Sequence, residues 1–115
     1  MALIQVNKAG AALDLSNLFD VAAGASQNAD RTSSTVTITP SSNSEYVAIL
    51  CAASYEYTYS LTAQTDVTNI SGDLSTNCYG GVIVVRIDNN SGTPVTLTIT
   101  HPNSNPRIVA CKMNV

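Results

Sequence analysis

The chain has 115 residues, of which 44% are hydrophobic and 11% are charged, and its formal net charge is −3. One domain is the natural organisation at this length, and because soluble domains average about 25% charged residues, this surface must consist largely of hydroxyls, amides and backbone. Lys8, Arg31, Arg86, Arg107 and Lys112 are scattered. A phosphate backbone requires clustered basic side chains, so the scatter argues against nucleic-acid binding and against an RNA-packaging coat protein.

Hydroxyl and amide side chains dominate the polar part of the chain, with thirteen threonines, thirteen serines and eleven asparagines. A surface so poor in charge favours a protein that is covered or repeated in an assembly. The alternative is a small β-domain of the extracellular type, which has the same kind of surface.

Residues 1–34 carry only a weak strand pattern. Residues 3–6 alternate apolar side chains, whereas residues 22–34 are small and polar, which predicts a long loop. Scattered apolar side chains in such a segment are typical of an N-terminal arm that lies on a partner, with an edge strand and a flexible loop as the equal alternative. The arm anchors that we expect to contact a neighbouring subunit are Leu3, Ile4, Val6, Leu13, Leu15, Leu18 and Phe19.

Threonine alternates with branched apolar residues over residues 35–39 and 95–100, and this period of two predicts strands with one buried and one solvated face. The turn at residues 88–92 predicts a hairpin between its flanking strands. Residues 35–115 therefore form the predicted domain, an all-β single β-sandwich of seven or eight strands with jelly-roll or immunoglobulin-like topology. The predicted strands cover residues 3–6, 35–39, 45–53, 55–61, 65–70, 81–87, 93–100 and 107–115.

Tyr55, Tyr57 and Tyr59 are two residues apart and belong to one predicted strand, so their side chains are expected on one face. Three interpretations stay open. The tyrosines pack on the sandwich, or they form a subunit interface, or they form a platform for sugar rings.

Three cysteines cannot form a complete disulfide framework. Cys51 and Cys111 lie within apolar runs and are predicted to be small buried side chains, and a bridge between them stays open. Cys78 lies in a predicted loop over residues 71–81. The chain has no Cys-x-x-Cys motif and His101 has no neighbouring ligand, so we expect no bound metal.

The sequence lacks the common catalytic motifs. His101 is the single imidazole, and there is no Gly-x-Ser-x-Gly elbow, His-Glu-x-x-His motif or glycine-rich phosphate loop. The eight acidic residues are spread evenly, as solubilising charges are. The turn at residues 88–91 lacks the alternating ligands and closing acid of a calcium loop. We therefore expect neither an enzyme nor a cofactor.

Targeting and membrane signals are also missing. Lys8 and Gly10 interrupt the first apolar residues, and the longest apolar stretches are too short to span a bilayer. We expect a protein that is made in the cytoplasm and has no membrane partner.

The opening Met1-Ala2-Leu3-Ile4, the loosely patterned first third, the charge-poor β-domain and the strand at the C-terminus together resemble small capsid decoration (cement) proteins of tailed bacteriophages. The resemblance covers the whole chain and lies in its size, composition and layout. It implies a homotrimer in the virion that clamps neighbouring major capsid proteins, with other virion proteins as further possible partners. The rival function is a carbohydrate-binding β-sandwich module of the tail, fibre or adhesin type, with the three tyrosines as its platform.

Overall fold

The computed structural model describes residues 19–28 and 31–114, and this part of the chain is all-β, with no helix. It confirms the predicted all-β class. The strands are β1 (Phe19–Gly24), β2 (Ser26–Gln27), β3 (Ser33–Ile38), β4 (Ser44–Leu61), β5 (Val67–Asn69), β6 (Leu74–Asp88), β7 (Val95–Thr100) and β8 (Arg107–Met113). They form one curled antiparallel sheet in the order β1-β8-β4-β7-β3-β2, from which β6 and β5 branch at β4. The hairpin predicted across residues 88–92 is wrong, because β6 pairs with β4 and β5 whereas β7 pairs with β3 and β4.

The long strand β4 is the centre of the sheet. Its first half pairs with β8 on one side and with β6 on the other, whereas Ser60 and Leu61 at its end pair with β7. Between these halves the register against β6 shifts twice, between Ala52 and Tyr57 and again between Tyr57 and Tyr59. Because bulges bend a strand and increase its twist, these shifts carry β4 from one part of the sheet to the other. The curl of the sheet follows from this bend.

Apolar side chains at every second position form the main core. Inward-facing residues of β4, β6 and β8 pack with inward-facing residues of β3 and β7. The threonines that alternate with them point outward, and the hydroxyls of Thr37 and Thr96 lie 2.9 Å apart across paired strands. The threonine pattern is therefore confirmed as a half-buried strand pattern. The core comprises Val36, Ile38, Val47, Ile49, Cys51, Tyr59, Ile83, Val85, Ile87, Val95, Leu97, Ile99, Ile108 and Ala110.

Two predicted strands, over residues 45–53 and 55–61, are one strand in the structure, because β4 continues through Ser54. The backbone N–H and the hydroxyl of Ser54 both donate to Oδ1 of Asn105, at 2.9 and 3.0 Å. Asn105 precedes β8, so the turn before β8 supplies a partner where the pairing with β8 ends. Hydrogen bonds to the side-chain amide of Asn105, which is distant in sequence, thus stabilise the strand at Ser54, where the sequence pattern predicted a break.

The loop predicted over residues 71–81 is also wrong from Leu74 onward, because β6 begins at that residue. Leu74 lies opposite Tyr59, and Cys78 lies opposite Tyr57. Cys78 is therefore a half-buried strand residue and not a loop residue.

The loop predicted over residues 22–34 is partly strand. β1 reaches Gly24, β2 follows, and β3 begins at Ser33. Ala22 and Gly24 pair with Cys111 and Val109 of β8, so a strand near the C-terminus orders a segment that has little pattern of its own. Residues 1–18 lie outside the described residues, and with them the predicted strand over residues 3–6 and the proposed arm anchors other than Phe19.

Candidate functional site

The face of β8, β4 and β6 that points away from the main core is named the outer face. Regular register between these strands arranges its side chains in four rows of three, because directly opposed residues of antiparallel strands share a face. From one end to the other the rows are Arg107, Ala52, Gly80; Val109, Leu50, Val82; Cys111, Ala48, Val84; and Met113, Tyr46, Arg86.

The second of these rows is an exposed apolar band across three strands. Val109, Leu50 and Val82 are 39%, 40% and 43% exposed. In the next row, Ala48 and Val84 are buried and form a small second cluster with Met113 and Tyr46. Strands that are apolar on both faces are normally covered on both faces, and aligned exposed apolar residues mark interaction surfaces. The exposed row is therefore the strongest candidate for a functional surface.

Phe19 extends this face onto β1. It is exposed and lies directly opposite Met113. Of the seven proposed arm anchors, Phe19 alone lies among the described residues, and there it is a strand residue at the margin of the outer face.

Charged groups of the outer face lie only at its two ends. At one end, Nε of Arg86 donates to Oδ1 of Asp88 at 3.0 Å. Hydrogen bonds to Asp88 and Tyr46 raise the pKa of Arg86, so its guanidinium stays charged. At the other end, the guanidinium of Arg107 donates to the carbonyl oxygens of Asn105 and Pro106, at 3.0 and 3.2 Å. The two middle rows can therefore be covered without desolvating an ionised group.

The three tyrosines of β4 run from solvent into the core. Tyr55 is 64% exposed, Tyr57 is half-buried and Tyr59 is buried in the main core. The rings of Tyr55 and Tyr57 meet edge to face with centroids 6.3 Å apart. Among residues 19–28 and 31–114, the hydroxyl of Tyr59 has no hydrogen-bond partner, and burial raises its pKa. An exposed platform is thus restricted to Tyr55 and part of Tyr57.

A serine–histidine contact is the arrangement that the sequence analysis missed. Oγ of Ser34 lies 2.7 Å from Nε2 of His101, and Nδ1 of His101 lies 2.7 Å from the backbone oxygen of Asn103. Because a carbonyl oxygen only accepts, Nδ1 carries a hydrogen, and in the neutral ring Nε2 accepts from the serine hydroxyl. The alternation of β3 could have predicted the burial of Ser34, because Ser34 lies on the same face as the buried residues Val36 and Ile38.

The chemistry of a nucleophile and its base requires access to a substrate, and here both side chains are enclosed. Ser34 is 1% exposed and His101 is 2% exposed. Ser34 lies at the wall of a surface pocket of about 690 Å³, which Arg31 and Arg107 also line. Its hydroxyl is directed to the imidazole, and a backbone carbonyl holds the other ring nitrogen. The contact ties the turn after β7 to β3.

The three cysteines are free thiols. Cys51 pairs with Ile108 and Cys111 with Ala48, so the two cysteines are three residues apart in register and face opposite sides of the sheet. The bridge left open by the sequence therefore does not form. In the described part of the chain, no three histidine, cysteine or acidic side chains group as metal ligands. Nor does it contain a helix long and apolar enough to cross a membrane.

No protein-family model matches the chain, and neither a curated protein nor a solved structure shows significant similarity to it.

Proposed function

We propose that the chain is a structural virion protein, a capsid decoration (cement) protein of a tailed bacteriophage that binds the major capsid protein lattice as a homotrimer. The observation that supports it is the exposed row of Val109, Leu50 and Val82 across the outer face, an apolar surface suited to contacts between the subunits of such an assembly. The proposal includes a single β-sandwich as the architecture of residues 35–115, supported by the packing of β3 and β7 over β4, β6 and β8. It assigns no catalysis, cofactor, nucleic acid or membrane to the chain.

The physical case is adhesion by apolar area. Burial contributes about 25 cal/mol per Å² of apolar surface, so covering the rest of each branched side chain in the row is worth roughly 1 kcal/mol. The entropy lost on association and on side-chain ordering opposes this gain. Three side chains alone are therefore too few for stable binding, and further contacts with the same partner are needed. Repetition of weak contacts in a lattice supplies such additions without a catalytic site.

The surface chemistry supports the same function. Lys, Arg, Asp and Glu make up 11% of the chain, and the cores of protein interfaces are depleted of charge. Hydroxyl-bearing strands such as β3 and β7 add a neutral polar surface that hydrates well. The expected location is the virion, after synthesis in the host cytoplasm.

The experiment asks whether the chain is present in particles made by the genome that encodes it. Purified particles are examined by quantitative mass spectrometry for wild type and for Leu50→Lys, with Thr96→Lys on the exposed side of β7 as the matched control. We expect stoichiometric occupancy for wild type and the control, and at least a tenfold loss for Leu50→Lys. Particles that lack the wild-type chain would contradict the proposal.

A carbohydrate-binding module is the second candidate, and one observation favours it. Tyr55 projects into solvent with Tyr57 packed at its edge, and exposed aromatic rings stack on sugars. Binding of a glycan array that is lost in Tyr55→Ala and Tyr57→Ala, and kept in Tyr79→Ala, would support this candidate. Absence of binding by the wild-type protein would remove it.

A further inference from the structure

We propose that residues 1–18 of one copy bind the outer face of a second copy, and that this exchange of arms holds the homo-oligomer together. The inference rests on the homo-oligomer of the proposed function and is independent of the capsid partner. It names an occupant for the exposed row of Val109, Leu50 and Val82, and it gives the arm anchors a binding surface.

The direction of β1 favours a second copy over the same copy. β1 runs from Phe19, opposite Met113, to Gly24, opposite Val109. The chain thus enters the sheet at the Met113 end, whereas the exposed row lies toward the other end of β8. The arm therefore begins at the end of the outer face that is farther from the exposed row of its own copy.

The length of the segment suits the face. The outer face spans the seven residues of β8, from Arg107 to Met113, and the six steps between them cover about 20 Å at roughly 3.3 Å per residue. Eighteen extended residues span about 60 Å by the same measure. The arm is therefore long enough to leave one copy and cross the face of the next.

The chemistry of the segment matches the face. Residues 1–18 contain six large apolar arm anchors, with Lys8 and Asp14 as their charged side chains. Leu13 and Leu15 fall on one side of an extended chain, about 7 Å apart, which is also the distance between successive rows of a strand. Docking such a segment buries apolar atoms against Leu50 and its neighbours.

A native thiol on the face provides the test. Cys111 lies one row from Leu50 and is half-buried. In a donor chain, Leu13→Cys or Ile4→Cys is combined with Cys78→Ser and Cys111→Ser. The acceptor is an otherwise unchanged full-length chain with Cys78→Ser and a tag that changes its mass. Donor and acceptor are mixed, oxidised mildly and resolved without reductant, and an acceptor with Cys111→Ser is the matched control.

We expect a disulfide-linked pair of donor and acceptor from at least one arm position, with the link mapped to Cys111 by mass spectrometry, and none with the control acceptor. When arm cysteine and Cys111 are present in one chain, exhaustive oxidation is expected to give covalent trimers, since a head-to-tail contact closes a ring. Only intrachain links, or no link to Cys111 from any arm position, would overturn the inference.

This readout separates the two proposals. Cross-links form in purified protein, so they report arm exchange even where virion occupancy fails. Conversely, full occupancy of particles by a chain that shows no link to Cys111 would leave the decoration role and remove the exchange. Links that stop at dimers would support exchange and contradict the trimer.

Discussion

Oγ of Ser34 lies 2.7 Å from Nε2 of His101, within hydrogen-bond distance, and both side chains are at most 2% exposed. The single imidazole of the chain is thus a buried group whose two nitrogens are both hydrogen-bonded, the second to the carbonyl of Asn103. Burying a polar group whose hydrogen bonds are satisfied costs little folding free energy, whereas removing one partner leaves the other buried group unsatisfied. The contact between Ser34 and His101 therefore links β3 to the turn that follows β7.

Ser34→Ala is expected to lower the free energy of unfolding by about 1–3 kcal/mol, because Nε2 of His101 loses its hydrogen-bond partner in a buried site. Denaturant titration measures the change, with Thr35→Ala on the same strand as the control, expected within about 0.5 kcal/mol. Hydrolysis of a chromogenic ester is expected to be the same for Ser34→Ala and wild type. A wild-type rate above background that Ser34→Ala abolishes would make the pair catalytic.

The strands with the clearest period of two were predictable. Residues 35–39 and 95–100 follow that pattern and form β3 and β7. By contrast, β1 and the first half of β6 take their order from partners distant in sequence: Ala22 from Cys111, and Cys78 from Tyr57. Local pattern carries no information on such pairings, because they depend on which strands become neighbours in the folded sheet.

The outer face was only partly predictable. The unbroken apolar run of β4 indicated a strand with two apolar faces, but the alignment of Leu50 with Val82 and Val109 requires the register. The contact of Ser34 with His101 likewise joins residues far apart in the chain. Of the tyrosines, spacing predicted a common face, whereas the burial of Tyr59 results from the bend of β4 toward β7.

Leu50→Lys is expected to change the unfolding free energy by less than about 1 kcal/mol, because the side chain is 40% exposed and lies outside the main core. The same substitution is expected to lower the oligomer mass in light scattering, since it introduces a charge into the middle of the outer face. Thr96→Lys on β7 is the control and keeps the wild-type mass. An unchanged mass for Leu50→Lys would remove the outer face from the interface.

Gly80→Ala is expected to destabilise the protein by about 1–3 kcal/mol through overpacking. A β-carbon at Gly80 would collide with the backbone oxygen of Cys51, which cannot move without disturbing β4. Gly24→Ala is the matched control, because a β-carbon there meets no atom within 4 Å. Thermal unfolding of the two variants measures the difference, and equal midpoints would contradict this close approach of β6 to β4.

Stability is expected to fall at alkaline pH because of Cys51. Burial, and next the neighbouring Cys78, raise the pKa of the Cys51 thiol from 9.0 to about 12. Above pH 9 the unfolded chain therefore loses this proton while the folded chain keeps it, so the stabilisation present below pH 9 is lost progressively up to about pH 12. Denaturant titrations at pH 8 and pH 11 measure the loss, and Cys51→Ala is expected to be less stable at pH 8 but to show a smaller further decrease at pH 11. An identical decrease in wild type and Cys51→Ala would show that other groups control the alkaline transition. Tyr59 would then be tested first with Tyr59→Phe, because burial also raises the pKa of its hydroxyl.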